Sequence, residues 1–286
     1  MADTTKTASE PTTRQSRIHR VVAENGGAAP AQTGPVRLKI DGLTKRYGET
    51  LALRNATVDF RPGIHTILGE NGSGKSTMLK ILSGVVTQTE GTVRLNDRAI
   101  APRSPRDMHD LGLSTVFQEV LIAPHRSVLD NIFLGYDGLL RRRIPKAKRA
   151  PLAEALLARI SRYPIPLFKT AGELPLASQQ IIVLARAFLR LPSILLLDEA
   201  TAALDYADRD LVFETMEDYA AAGNIVIFIS HRLEEVRRLS NRVTVLRSGQ
   251  VVETLERDDI TAPRLLKLMA PEMAPRMAEG VAFHAG

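Results

Sequence analysis

Residues 69–76 read Gly-Glu-Asn-Gly-Ser-Gly-Lys-Ser, a spacing of glycines, lysine and serine that is suited to holding phosphate groups. An apolar stretch precedes this phosphate loop and a helical pattern follows it, which is the context that phosphate binding requires. Backbone N–H groups and the positive helix end both attract phosphate. We expect Lys75 to reach the β- and γ-phosphates, Ser76 to bind Mg²⁺ and Thr77 to bond a phosphate oxygen. The predicted nucleotide-binding residues here are Gly69, Glu70, Asn71, Gly72, Ser73, Gly74, Lys75, Ser76 and Thr77.

Two adjacent acidic residues, Asp198 and Glu199, follow the four apolar residues at 194–197. They stand at the carboxyl end of a predicted buried strand, the edge where parallel α/β sheets bind ligands. We expect Asp198 to contact Mg²⁺ through water and Glu199 to act as general base on the attacking water. An acidic pair alone is common as a helix cap, so the prediction depends on its combination with the phosphate loop.

The elements that must position these groups can be read from the hydrophobic pattern. Strand patterns occur at residues 36–40, 63–68, 193–198, 224–230 and 242–247, and helical patterns lie between several of them. This alternation predicts an α/β fold with a mostly parallel sheet and helices packed on it.

Hydrophobic periodicity and local composition also predict the domain organisation. Residues 1–35 lack a periodic apolar face and are predicted to be a disordered tail. Residues 36–268 are predicted to form the nucleotide-binding domain, and helical periodicity over about 119–190 indicates an inserted helical subdomain. Residues 269–286 contain three methionines and two prolines and are predicted to be a flexible tail.

Composition excludes several classes of protein. The 286 residues include no cysteine, which excludes disulfides and thiolate metal sites. No apolar run approaches the ~18–20 residues that span a bilayer, and no secretory signal pattern is visible, so we expect a cytoplasmic protein. The net charge of +6 permits a nucleic acid or an anionic membrane as partner. The densest basic cluster, at 141–149, is predicted to be a solvated or membrane-near face.

The residues after the acidic pair indicate a family. The stretch DEATAALD (198–205) and the strand that ends before His231 resemble the ATP-binding cassette (ABC) ATPases. In that family these positions are the Walker B acids, the D-loop with Asp205, and the switch histidine. The resemblance covers roughly residues 36–260. It implies a P-loop ATPase core with a mostly parallel sheet, an antiparallel β subdomain and an inserted helical subdomain.

The resemblance also assigns roles to single residues. Gln118 stands where the family has its Q-loop glutamine, and Tyr47 stands where the family has the aromatic that stacks on adenine. The implied cofactors are ATP and Mg²⁺. The implied catalytic residues are Glu199, His231 and Lys75. The implied metal-binding residues are Ser76, Gln118 and Asp198. Tyr47, Gln118 and Asp198 are also implied to bind the nucleotide.

Four segments narrow the resemblance to monosaccharide importers of the ribose and xylose type: 104–107, 117–135, 231–236 and 242–250. The resemblance implies a peripheral subunit on the cytoplasmic side of the cell (inner) membrane. The implied partners are transmembrane permease subunits, a second ABC ATPase subunit and, indirectly, a periplasmic substrate-binding protein; no nucleic acid is expected. Many members of that group contain two fused cassettes, whereas this sequence contains one.

One segment departs from the family pattern. ABC ATPases carry Leu-Ser-Gly-Gly-Gln at a fixed distance before the Walker B aspartate, and here Leu174 keeps that distance from Asp198. The following residues are Pro175-Leu176-Ala177-Ser178, so the serine, both glycines and the glutamine are replaced. The resemblance implies that this signature segment (174–178) should bind a partner's γ-phosphate poorly. The plain alternative is an ordinary helix start with Ser178 as N-cap.

The altered segment leaves it undecided whether the working dimer is a heterodimer or a homodimer. In a heterodimer, a second cassette with an intact signature would complete this chain's ATP site. A homodimer would carry the defect at both sites and should hydrolyse ATP slowly. Two other function classes remain alternatives: a soluble ABC ATPase acting on nucleic acid or ribosomes, and a nucleotide-binding regulator with little catalysis. The first usually needs two fused cassettes or a long coiled coil, and the second does not explain why Glu199 and His231 are retained.

Overall fold

A computed structural model describes residues 15–25, 36–137 and 144–269. The strands are β1 (Leu38–Tyr47), β2 (Thr50–Phe60), β3 (Gly63–Leu68), β4 (Glu90–Leu95), β5 (Arg98–Ile100), β6 (Leu113–Val116), β7 (Ile194–Asp198), β8 (Ile225–Ile229), β9 (Arg242–Arg247) and β10 (Gln250–Glu256). The helices are α1 (Arg17–Glu24), α2 (Lys75–Leu82), α3 (Pro105–Asp110), α4 (Val128–Ile132), α5 (Lys146–Ile160), α6 (Leu176–Leu189), α7 (Tyr206–Ala221), α8 (Leu233–Leu239) and α9 (Ala262–Met269). Within the described ranges, no helix is both long and apolar enough to cross a membrane.

The larger sheet has the strand order β10-β9-β3-β8-β7-β6. Strands β9, β3, β8, β7 and β6 are parallel to one another, and β10 at the edge of this sheet pairs antiparallel with β9. Every residue of β7 and β8 is buried, as expected for parallel strands covered by helices on both faces. The carboxyl ends of β3, β6, β7 and β8 therefore meet at one edge. The predicted α/β fold with a mostly parallel sheet is confirmed.

A second, antiparallel sheet has the order β2-β1-β4-β5. Its inner face contributes Leu38, Ile40 and Phe60 to a core shared with α2. The two sheets are joined at the turn between β9 and β10, where Arg54 donates its backbone N–H to the carbonyl oxygen of Gly249 at 2.8 Å. Strand β2 completes this sheet and is not among the strands predicted from the sequence.

Helices α4, α5 and α6 account for the helical periodicity after Gln118 and pack around one apolar cluster. The Arg186 side chain links α6 to α4 and to the segment after β6. It donates to the carbonyl oxygens of Asn131 and Leu121, both at 2.8 Å. Helix α5 begins at Lys146 and contains Pro151. The basic triplet at 141–143 lies outside the described residues.

The prediction of disorder throughout residues 1–35 is wrong for residues 15–25, which contain α1. Ile18, Val21 and Val22 are buried against the cluster that includes α5, α6 and α7. The Ser16 hydroxyl accepts from the His19 backbone N–H and caps the helix, and the His19 ring stacks on Tyr219 with centroids 5.1 Å apart. The apolar residues have helical spacing in the sequence, but over only eight residues and among polar neighbours, so the pattern alone does not predict a helix. Residues 1–14, 26–35 and 270–286 lie outside the described ranges.

Replacing Val22 with aspartate is expected to destabilise the protein by on the order of 3 kcal/mol, because a buried side chain would become an unpaired charge. Ala23→Asp is the matched control, since Ala23 is exposed on the same helix. The free energy of unfolding in urea would be compared for both variants. Equal losses would show that α1 is not docked through its apolar face.

The stability of the fold should fall on acidification because of His65 on β3. Its ring is buried, Nε2 lies 2.7 Å from the Thr244 hydroxyl, and burial lowers the pKa of His65 to about 3. The unfolded chain binds a proton near pH 6.5 and the folded chain does not, so stability is lost as the pH falls below that value. We expect a loss of roughly 2 kcal/mol between pH 7.5 and pH 5 from this group.

Urea unfolding at both pH values measures this loss in wild type, His65→Gln and the control His125→Gln, which replaces an exposed histidine. The His65 variant should lose stability less steeply with acid, whereas the His125 variant should follow wild type. Equal slopes for wild type and His65→Gln would contradict the assignment.

Candidate functional site

The phosphate loop connects β3 to α2, and close contacts require glycine at position 74. Gly74 is the N-cap of α2 and has φ +105°. A Cβ at Gly74 would lie 2.7 Å from the Ala52 carbonyl oxygen and 2.8 Å from Leu53 Cδ2. The loop is also held by the turn between β9 and β10, where Gly249 donates its N–H to the Ser73 carbonyl oxygen at 3.0 Å. The antiparallel sheet therefore shapes the phosphate loop.

Lys75 lies beneath the loop and is buried. Its Nζ donates to the carbonyl oxygens of Gly69 and Glu70 at 2.7 and 2.8 Å. Burial lowers the pKa of Lys75, while Glu199, Asp198 and Glu70 act against that shift. Both carbonyl groups are neutral, so these hydrogen bonds provide no negative charge to balance the ammonium group. This setting favours the binding of an anion.

Other residues of the loop are available to a ligand. The Ser73 hydroxyl is buried and has no hydrogen-bond partner among the described residues. Glu70, Asn71, Gly72 and Ser76 are exposed, and Thr77 is half-buried. A glycine-lined cradle with a buried lysine and a buried hydroxyl that lacks a partner fits a phosphate group.

Asp198 and Glu199 stand at the end of β7, as the sequence predicts. Asp198 is buried. Its pKa is raised mainly by burial and also by the charge of Glu199, whereas the charge of Lys75 lowers it. Glu199 has φ +47° and donates its N–H to the carbonyl oxygen of Ile229 at 3.0 Å. This bond to the end of β8 fixes the unusual backbone angle, so that the carboxylate points along the edge where the strands end.

The structure brings Gln118, Glu199 and His231 into one cluster. Gln118 Nε2 donates to Glu199 Oε2 at 3.3 Å, and His231 Nδ1 lies 3.2 Å from Glu199 Oε1. The three side chains follow the ends of β6, β7 and β8 respectively. A carboxylate held between an amide and an imidazole can accept a proton from water and be kept in one orientation.

Magnesium fits the donors at this edge. Within the described ranges, no group of three or more His, Asp or Glu residues is arranged as a metal site. Mg²⁺ usually takes only one or two protein carboxylates and fills its other positions with water and substrate phosphates. Asp198 with Ser76 and Gln118 is such a sparse donor set.

Tyr47 and Asp205 make other contacts. Tyr47 ends β1, is 45% exposed, and has Lys45 Nζ 5.0 Å from its ring centroid. An exposed ring at the rim of the antiparallel sheet can take a flat ligand. Asp205 caps α7 by accepting from the Asp208 backbone N–H at 2.8 Å.

The signature segment forms the start of α6. Pro175 is the N-cap and no side chain caps the helix, so the prediction that Ser178 is the N-cap is wrong. Pro175 has no N–H to donate, and Leu176 is 57% exposed at the first helical position. The end of α6 that would face a phosphate therefore presents apolar side chains.

One residue near the cluster was missed. Glu235 is only 4% exposed, although its neighbour Glu234 is exposed. The segment HRLEEV (231–236) was noted for its resemblance, but a pair of adjacent glutamates does not reveal which of them turns inward. The periodicity of α8, with Val236 and Leu239 buried, is the signal that distinguishes them.

Comparisons with known proteins agree with this arrangement. Residues 53–202 match the model of the family described as ABC transporter. The chain is 38% identical over 232 residues to the ribose import ATP-binding protein RbsA 1 of Rhizobium johnstonii, covering 81% of this chain and 45% of that protein. It is 36% identical over 237 residues to the galactofuranose transporter ATP-binding protein YtfR of Escherichia coli, covering 81% and 46%. The chain thus spans less than half the length of these relatives.

Solved structures resemble the fold as well. An ATP-binding cassette of an ABC transporter in its ADP conformation aligns with a TM-score of 0.68 at 23% identity, covering 82% of this chain and 98% of that chain. A bacterial ABC transporter cassette solved as a dimer aligns with a TM-score of 0.70 at 25% identity, covering 77% and 98%.

Proposed function

Because the chain belongs to the ABC transporter family, we propose that it binds and hydrolyses ATP to power a membrane importer for a monosaccharide. One observation carries this proposal: the phosphate loop, Asp198 and the cluster of Gln118, Glu199 and His231 meet at one sheet edge. The sugar specificity is suggested by relatives named for ribose and galactofuranose.

Phosphate binding is assigned to the loop and the start of α2. Lys75 would exchange its two carbonyl partners for phosphate oxygens, and Ser73 would gain a partner for its buried hydroxyl. The N–H groups of the loop and of Ser76 and Thr77 stand at the positive end of α2. Tyr47 would stack on the adenine from the antiparallel sheet.

Mg²⁺ would be held by Ser76, Gln118 and Asp198, and when bound it supplies positive charge to the phosphates. Asp198 must be ionised for this task. Burial raises its pKa, and Lys75 counteracts that rise.

Glu199 would accept the proton of the attacking water. His231 holds the carboxylate from one side and Gln118 from the other, which limits its rotation. A base held in one orientation loses less entropy on reaching the transition state.

The permease would dock in a groove between α6 and the core. This docking groove is lined by Phe117, Glu119 and Leu121 after β6, by Leu134 after α4, and by Arg186 on α6. Leu121 and Leu134 are 51% and 46% exposed, so both offer apolar surface in this groove to a partner. The groove starts next to Gln118, so that movement of a docked helix would reach the nucleotide site directly.

We propose further that the working dimer is a heterodimer. The apolar start of α6 offers Pro175 and Leu176 where a partner's γ-phosphate would need donors. A second cassette with an intact signature would complete this chain's site, while the partner's own site would remain weak.

A pulldown of this chain from membranes of its native source tests the proposal, with mass spectrometry of the proteins retained. A polytopic permease together with a cassette that carries Leu-Ser-Gly-Gly-Gln would support it. Ribosomal proteins or nucleic acid without a permease would overturn the transport function. A permease with this chain alone would overturn the heterodimer.

Leu121→Asp adds a test of the docking groove, because it places a charge on the apolar wall. The variant should lose the permease and still bind ATP. Leu111→Asp is the matched control, since Leu111 is also exposed but does not line the groove. Retention of the permease by Leu121→Asp would show that docking occurs elsewhere.

A further inference from the structure

A buried carboxylate outside the cluster described above connects two of its supporting loops. Glu235 lies on α8, four residues after His231, and is 4% exposed. Its Oε2 accepts from the Ser230 hydroxyl at 2.7 Å and from the Thr201 hydroxyl at 3.4 Å. Its Oε1 faces Arg232 Nη1 at 3.3 Å and Arg209 Nη1 at 3.6 Å.

The first two partners belong to the loops that carry the reacting groups. Ser230 separates β8 from His231, and its hydroxyl also accepts the backbone N–H of Arg232 at 3.1 Å. Ser230 and Arg232 therefore hold the backbone on both sides of His231. Thr201 follows Glu199 by two residues, in a turn closed by the bond from Ala202 N–H to the Glu199 carbonyl oxygen at 3.0 Å.

The third connection reaches α7. Arg209 donates its backbone N–H to the Asp205 carbonyl oxygen at 3.0 Å, and its guanidinium lies 4.5 Å over the Tyr206 ring. Glu235 thus contacts the loop of His231, the turn after Glu199 and the first turn of α7. A single carboxylate with donors from three segments fixes their relative positions, since a carboxylate buried without these partners would be strongly unfavourable.

We propose that Glu235 is a positioning residue that sets the distance between His231 and Glu199. It contacts neither of them directly. It holds the residues on both sides of His231 against the turn that begins at Glu199, so that the Nδ1–Oε1 distance of 3.2 Å is maintained. This inference rests on the proposed ATP hydrolysis for its consequence in catalysis, but its geometric content can be measured without turnover.

The geometric measurement is the imidazole Cε1–H resonance of His231 in the full chain, recorded by NMR without nucleotide. The chain has six histidines, and His231→Gln identifies the resonance by its loss. Glu235→Gln should shift this resonance, because the loop moves relative to Glu199. Glu234→Gln, which changes the exposed neighbour, should leave it in place. An unshifted resonance in Glu235→Gln overturns the proposal.

Ser230→Ala is the second variant, in case Glu235→Gln fails to fold. It removes only the hydroxyl that joins Glu235 to the loop of His231 and leaves the carboxylate paired with both arginines. The same resonance should shift in the same direction by a smaller amount. No shift in folded Ser230→Ala also overturns the proposal.

The kinetic measurement compares kcat with KM for ATP. Glu235→Gln should lower kcat about 10²-fold with KM changed less than about twofold, as expected when a base is displaced without loss of phosphate binding. A fall in kcat that is matched by weaker ATP binding and a lower Tm would indicate a general structural role and overturn the proposal. Wild type that hydrolyses no ATP even with its partner cassette present would count against the proposed function, and the NMR result would still decide the inference.

Discussion

Replacing Glu199 with glutamine is expected to lower ATP hydrolysis about 10³-fold while leaving ATP binding nearly unchanged. The amide retains the size of the side chain, and the backbone at φ +47° is held by the bond to Ile229 and not by the carboxylate. What is lost is the group that accepts a proton from water. Binding of a fluorescent ATP analogue and phosphate release would be measured on the same preparation.

Glu214→Gln is the matched control for this prediction, because Glu214 is exposed on α7 and lies away from the phosphate loop. It should hydrolyse ATP at the wild-type rate. If Glu199→Gln kept more than about a tenth of the wild-type rate, the general base would be another residue, and the cluster with His231 would need a different role.

Restoring the signature segment is expected to increase the ATP hydrolysis of the chain alone by about 10- to 100-fold. The variant combines Pro175→Ser, Leu176→Gly and Ala177→Gly. These changes return a hydroxyl and two unobstructed N–H groups to the start of α6, where a phosphate from a second copy would lie. Each donor recovered near a developing negative charge lowers the barrier.

The three restoring substitutions have opposite effects on the stability of α6. Serine is a favourable N-cap, and Pro175 provides no side-chain cap at present. Each glycine in the first turn costs up to about 1 kcal/mol of helix stability, which the packed face of α6 should tolerate. Thermal unfolding of the triple variant would confirm that it remains folded before its rate is interpreted.

Two further results decide the meaning of the gain. The triple variant combined with Glu199→Gln should be inactive, because the faster reaction would still use Glu199 as its base. A triple variant that is no faster than wild type, at protein concentrations where dimers form, would show that the altered segment does not limit hydrolysis. A heterodimer would then not be needed to supply an intact signature segment.

The phosphate loop, the acidic pair after β7 and the parallel sheet were predictable from the sequence alone. Each depends on a local requirement: glycine at a left-handed position, a run of apolar residues in a strand covered on both faces, or an acid at the strand end. The stretches at 63–68 and 224–230 coincide with β3 and β8 within one residue. Such patterns can be recognised in a sequence because they involve only residues that are close together along the chain.

The tertiary structure decided the features that depend on distant residues. The docking of α1 needs the apolar surface of α5 and α7, and its eight residues are too few to reveal a stable helix in isolation. The burial of Glu235 needs Arg209 and Thr201, which come from separate segments. Pro175, not Ser178, is the N-cap of α6, which begins at Leu176. Contacts between segments are set by summed burial and charge pairing over the whole domain, and no local pattern of residues encodes that sum.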